Sequence, residues 1–109
     1  MLDNELIGLF GGAFDPIHNA HISIAKKCVK VIGLQKIIFI PTGSSANNKK
    51  LTNYKHRLEM INLICKNSKF QVSDFEIREY INKKKISYTI DTLRFFSKQR
   101  KCTFFFILG

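Results

Sequence analysis

His18 and His21 stand three residues apart, so on a helix they share one face of a single turn. Two imidazoles placed this way can donate hydrogen bonds to one bound phosphate. They could also ligate a metal, but a third ligand close in sequence is not evident. Just upstream lie Gly11-Gly12-Ala13-Phe14-Asp15-Pro16. Without Cβ atoms, Gly11 and Gly12 let a backbone turn sharply and bring its N–H groups close to an anion. Asp15 precedes a proline and is disfavoured in the helical region, so the helix is expected to begin after Pro16 with Asn19 or a neighbour as its cap. Its free amides and the positive end of its dipole then face the same place as the glycine turn. Phosphate holding and transfer is the chemistry that this spacing suits.

These residues need a strand before them and a helix after them, and the pattern supplies both. Leu6 to Phe10 reads as a buried strand, and Ile22 to Ile32 as a helix with Ile24, Cys28 and Ile32 on one face and Gly33 as its stop. Lys36 to Ile40 reads as a second strand ended by Pro41, and Thr42 to Thr52 as a polar loop. Tyr54 to Cys65 has a helical pattern in Leu58, Ile61, Ile64 and Cys65. Phe70 to Ser73 is a short strand, Asp74 to Lys85 a charged irregular stretch, Tyr88 to Gln99 a helix with Leu93 and Phe96 inward, and Thr103 to Leu108 an apolar strand. Apolar strands alternating with amphipathic helices predict an α/β domain whose parallel sheet is covered on both faces. In such sheets ligands bind beyond the carboxyl ends of the strands. The glycine turn, the loop after Pro41 and Gly109 fall on that edge. One domain over residues 1–109 is expected.

Composition narrows the classes. Hydrophobic residues make up 45 % of the 109 positions, as in ordinary globular proteins. No stretch reaches the ~20 apolar residues of a membrane span, and the first residues carry no secretory signal pattern. Cys28, Cys65 and Cys102 are odd in number and widely spaced, which suits a reducing cytoplasm better than a disulfide framework or a zinc site. The net charge of +10 favours anionic partners such as nucleotides. The lysines form only small clusters without interleaved aromatics, so a dedicated nucleic-acid role is disfavoured.

Gly-Gly-x-Phe-Asp-Pro-x-His-x-x-His resembles the first signature of the HxGH-motif nucleotidyltransferases. More narrowly, the chain resembles the nicotinate mononucleotide adenylyltransferase family. Further matches are Ile40-Pro41, Arg57 with Met60, Ile86-Ser87-Tyr88-Thr89 with Asp91-Thr92-Leu93, and Phe106-Ile107-Leu108-Gly109. The resemblance implies a Rossmann-like doubly wound parallel sheet, here of about four strands. It implies transfer of the adenylyl group of ATP to nicotinate mononucleotide, releasing pyrophosphate, in NAD biosynthesis. The attacking phosphate is ionised at pH 7, so alignment and charge stabilisation are the enzyme's task. By resemblance His18 and His21 contact the ATP phosphates, Gly11, Gly12, Ala13, Phe14 and Gly109 contribute to nucleotide binding, and Mg²⁺ arrives with ATP. Ser87, Tyr88 and Thr89 are expected to line the nicotinate pocket, with Tyr88 equally compatible with a core aromatic. Arg57 is expected either to pair a substrate phosphate or to sit in solvent.

The chain departs from the family pattern at three places. Ala20 replaces the usual glycine before the second histidine, and its methyl is expected to crowd the nucleotide. Ser45-Ala46-Asn47-Asn48 stands where the family often has Pro-Pro-His-Lys, and Lys49 or Lys50 is expected to supply the basic contact instead. The family continues for roughly as many residues again, with a later serine-threonine-arginine phosphate motif. These 109 residues are therefore expected to be the N-terminal part of the family fold, with weak or no activity alone and with Phe104, Phe105 and Phe106 at an exposed, self-associating sheet edge. The alternatives are a degenerate nucleotide- or partner-binding module, and an adenylyltransferase acting on nicotinamide mononucleotide or phosphopantetheine.

Overall fold

The computed structural model describes residues 5–43, 53–83, 89–99 and 102–108. Four strands, β1 (Glu5–Gly12), β2 (Lys36–Pro41), β3 (Phe70–Val72) and β4 (Cys102–Leu108), form one parallel sheet in the order β3-β2-β1-β4. Helices α1 (Asn19–Ile32) and α2 (Tyr54–Ile64) follow β1 and β2, and α3 (Phe75–Lys83) and α4 (Thr89–Gln99) lie between β3 and β4. The architecture is α/β and Rossmann-like.

Strand alternation divides the core into two layers. Phe10, Ile37, Phe39 and Ile107 pack on one face with Ile22 and Ala25 of α1 and Ile61 of α2. Ile7, Leu9, Ile38 and Ile40 pack on the other with Leu93, Phe95 and Phe96 of α4, and Phe75 of α3 stacks on Phe95 at 4.0 Å. Helices therefore cover both faces. The order 3-2-1-4 puts the reversal of winding between β1 and β4, and sheets wound this way take ligands there, at the carboxyl ends of the strands.

Two expectations about the helices are corrected. The inward face of α1 is Ile22, Ala25 and Val29, with Cys28 at its border, whereas Ile24 and Ile32 are 42 % and 38 % exposed. Both stripes have helical spacing and share Cys28. The buried set continues from Ile17, which is itself buried just before the helix. The stretch after Asp74 is helical, not irregular. Its charges sit four apart and pair as Asp74–Arg78 at 2.8 Å and Glu79–Lys83 at 3.1 Å, while Ser73 Oγ accepts from the Phe75 amide. Phe75 and Ile77 supply its buried side. Gly33 ends α1 as expected, with φ +81°. Phe104, Phe105 and Phe106 are half-buried, not exposed: Phe105 joins the α1 layer, and Phe104 and Phe106 the α4 layer.

Fully buried Thr92 on α4 donates its hydroxyl to Glu76 Oε2 of α3 at 2.7 Å. Burial raises the Glu76 pKa, Thr92 opposes that rise, and Asp91 adds to it. A raised carboxyl pKa means that the folded state holds its proton more tightly, so stability from this group falls as pH climbs from 4.5 through the folded value. Glu76→Gln keeps the acceptor for Thr92 and removes the charge. It should melt higher than the parent at pH 8, with the difference closing below about pH 4.5; equal melting at pH 8 would contradict this.

Candidate phosphate site

The glycine pair does not make the turn. Gly11 and Gly12 complete β1, paired with Ile40 and Pro41 of β2, and Gly11 also with Leu108 of β4. A Cβ on either would make only ordinary contact with an aromatic ring. A Cβ on Gly12 would lie 3.4 Å from the Phe14 ring, and one on Gly11 would lie 3.5 Å from the Phe106 ring. The reversal falls at Phe14, whose φ of +47° is in the left-handed region. That conformation costs a non-glycine residue about 1 kcal/mol. The ring, 3 % exposed, offsets it by packing edge-on against Phe10 at 5.4 Å, Phe39 at 5.7 Å and His21 at 5.1 Å.

The cap of α1 is His18, the neighbour of Asn19. Its Nδ1 accepts from the Ala20 amide at 3.3 Å, and His21 Nδ1 accepts from the His18 amide at 3.1 Å, a reciprocal capping box built from two imidazoles. The amides of Ala20 and His21 are thereby satisfied within the turn, by His18 Nδ1 and the His18 carbonyl. They are not the free donors that the sequence suggested. With both Nδ1 atoms accepting, the hydrogen bonds assign the proton of each neutral imidazole to Nε2. The rings lie 4.1 Å apart. The first turn of α1 therefore presents two paired N–H donors. Ala20, which replaces the expected glycine, is exposed beside them.

Burial lowers the His21 pKa below 6.5, and His18 lowers it further. A neutral His21 is what its acceptor role requires, since a proton on Nδ1 would break the bond from the His18 amide. Between the folded pKa and 6.5 the unfolded chain binds more protons than the folded one, so stability falls as pH drops through that window. Melting temperatures should fall below about pH 6.5, and His21→Gln, which keeps an acceptor at the capping position, should remove that part of the fall. Identical pH profiles for the two chains would contradict the assignment.

Arg57 neither sits in solvent nor lies on the surface. It is 3 % exposed on α2, and its Nη1 donates to the Ala13 carbonyl at 3.0 Å and the Thr42 carbonyl at 2.7 Å. Burial lowers its pKa and Asp15 raises it. Asp15, Phe39 and Thr42 thus belong to the site's surroundings, which their places as a pre-proline residue, a strand residue and a loop residue do not reveal. Their roles depend on ring and backbone contacts between strands, which spacing does not show. Thr89 opens α4 and is exposed, on an element that packs on the other face of the sheet from α1. Lys49, Lys50, Ser87, Tyr88 and Gly109 lie outside the described residues. Cys65, pushed up to about 11 by burial, is a poor candidate nucleophile at neutral pH.

Residues 9–107 match the cytidylyltransferase-like family. The chain belongs to that family. Within it, this cytidylyltransferase-like chain is 42 % identical over 105 residues to a probable nicotinate-nucleotide adenylyltransferase of Clostridium acetobutylicum, and 41 % identical to that of Clostridium kluyveri. Each alignment covers 93 % of this chain and 50 % of the relative, so the chain spans about half the length of the curated relatives it matches. The fold is similar to that of Plasmodium falciparum nicotinic acid mononucleotide adenylyltransferase complexed with NaAD, at a TM-score of 0.79 and 27 % identity over 94 % of this chain and 50 % of the other. The complex of that enzyme with APC gives 0.75. Among the described residues no helix is long and apolar enough to cross a membrane.

Proposed function

We propose that the turn between β1 and α1 holds the phosphates of ATP for adenylyl transfer to nicotinate mononucleotide. The observation that carries the reading is the imidazole pair, whose Nδ1 atoms are tied down and whose Nε2–H groups remain as donors 4.1 Å apart by ring centre at a helix start. A phosphate oxygen of the mononucleotide attacks the α-phosphorus of ATP, and the bond to the pyrophosphate oxygen breaks. Charge grows on the α-phosphate oxygens, and preorganised neutral donors stabilise it without a proton transfer. The two relatives and the solved enzyme named above support the substrate class.

Among the described residues no group of three or more His, Cys, Asp or Glu is placed to hold a metal ion. The donors at the turn suit phosphate oxygens, which fits a Mg²⁺ carried by ATP itself rather than by a protein cage. Such an ion would neutralise phosphate charge. Ser87, Tyr88 and Thr89 remain proposed for the nicotinate ring, and Lys49 or Lys50 for substrate phosphate.

Pyrophosphate release with ATP and either nicotinate or nicotinamide mononucleotide tests this reading. The 109 residues alone should turn over slower than the ~1 per second of ordinary enzymes, with the nicotinate form preferred. Equal use of both mononucleotides, or no ATP binding, would contradict the proposal. ATP binding without any turnover would favour the binding-module alternative.

A further inference from the structure

Among the described residues only two polar side chains are buried, Thr92 and Arg57. Thr92 ties two helices together; Arg57 ties two strand ends together. Gly12 and Pro41 are the last residues of β1 and β2, and the Thr42 amide still donates to the Gly12 carbonyl at 2.9 Å. One residue further on, the carbonyls of Ala13 and Thr42 receive Arg57 Nη1 instead. A buried carbonyl left without a donor is costly, and a charged donor makes the stronger bond. The guanidinium therefore continues the join between the strands just where the ladder stops.

Ala13 immediately precedes Phe14, the residue at φ +47°, and the Phe14 ring meets His21 edge-on at 5.1 Å. We infer that Arg57 is a positioning residue of the phosphate site: by holding Ala13 and Thr42 it fixes the pose of Phe14, and through the Phe14 ring that of His21. This inference rests on the function proposed above for its purpose, but its geometry stands without it. Arg57 acts here through the protein backbone and not by touching a substrate phosphate. His21 is faced by His18 on its own helix, and by the rings of Phe10 on β1 and Phe14 in the turn.

The test follows the Cε1–H resonance of His21 by NMR through a pH titration of the 109-residue chain, without nucleotide. The comparison is with Arg57→Met, which fills the volume without a donor, and Arg57→Lys, whose ammonium is one bond shorter. Loss of the clamp lets the ring leave His21, so its titration midpoint, below 6.5 in the parent, should rise toward 6.5 in Arg57→Met and less far in Arg57→Lys. A folded Arg57→Met with an unchanged midpoint overturns the inference. If Arg57→Met does not fold, Arg57→Lys decides in the same way. A tenfold or greater loss of ATP affinity with no change at His21 also overturns it, and points to direct phosphate contact. Failure of the parent to bind ATP would overturn the proposed function, while the titration would still decide the role of Arg57.

Discussion

His18→Asn should leave the fold standing and cut whatever turnover the chain supports by about 100- to 1000-fold, the usual effect of removing one preorganised donor from a transition state. One ring has two roles. Nδ1 of His18 caps α1, which leaves Nε2–H as the donor of this exposed residue. Asparagine is among the best N-cap residues, so it retains the first role. It offers nothing at the place of Nε2. His18→Ala removes both, and should also lose about 1 kcal/mol of stability, or about 4–8 °C in melting temperature for a domain of this size. Turnover in His18→Asn equal to the parent's would show that the imidazole is only a cap.

Gly43→Ala should destabilise the chain by about 2 kcal/mol, within the range for forcing extra atoms into a packed site, and lower its melting temperature by about 10 °C. A Cβ at Gly43 would meet the Glu76 carbonyl oxygen at 2.6 Å, the Tyr80 Cβ at 2.7 Å and the Ile77 Cα at 3.1 Å. Two of these are backbone atoms of α3 and the other is the first atom of a side chain, so none can swing away. Gly8 is a useful contrast. A Cβ there would meet Leu34 Cδ1 at 2.9 Å, Ile107 Cδ1 at 3.2 Å and Ile37 Cγ1 at 3.3 Å, and the two nearest are side-chain ends with rotamers to give. Gly8→Ala should therefore cost less than Gly43→Ala; thermal melts of the two variants check the order, and the reverse order would contradict the close approach of Gly43 to α3.

Much of the architecture could be read from the chain because the strands are continuous apolar runs and the helices begin and end on recognisable residues. Gly33 and Pro41 act locally, through φ and a missing donor, so single positions reveal them. Helix α3 was hidden because its stabilising pairs, Asp74–Arg78 and Glu79–Lys83, look like a solvated charge run until four-residue spacing is weighed against them. At the site, the identity and spacing of His18 and His21 already suggested a phosphate donor pair. Which nitrogen donates did not follow, because it depends on two hydrogen bonds within the turn. The glycine pair was misleading because glycine permits a turn without requiring one: here both residues extend β1, and the reversal is made by Phe14. Arg57 was visible as a charge on a helix, but its burial arises from the approach of two strand ends, 44 and 15 residues away in sequence.

If the imidazole pair at the start of α1 is the phosphate site, ATP titration with Mg²⁺ will show it at the side-chain resonances of His18 and His21. Both histidines should shift together and saturate together, and nicotinic acid adenine dinucleotide should compete. ATP binding that leaves both histidines unmoved would contradict it.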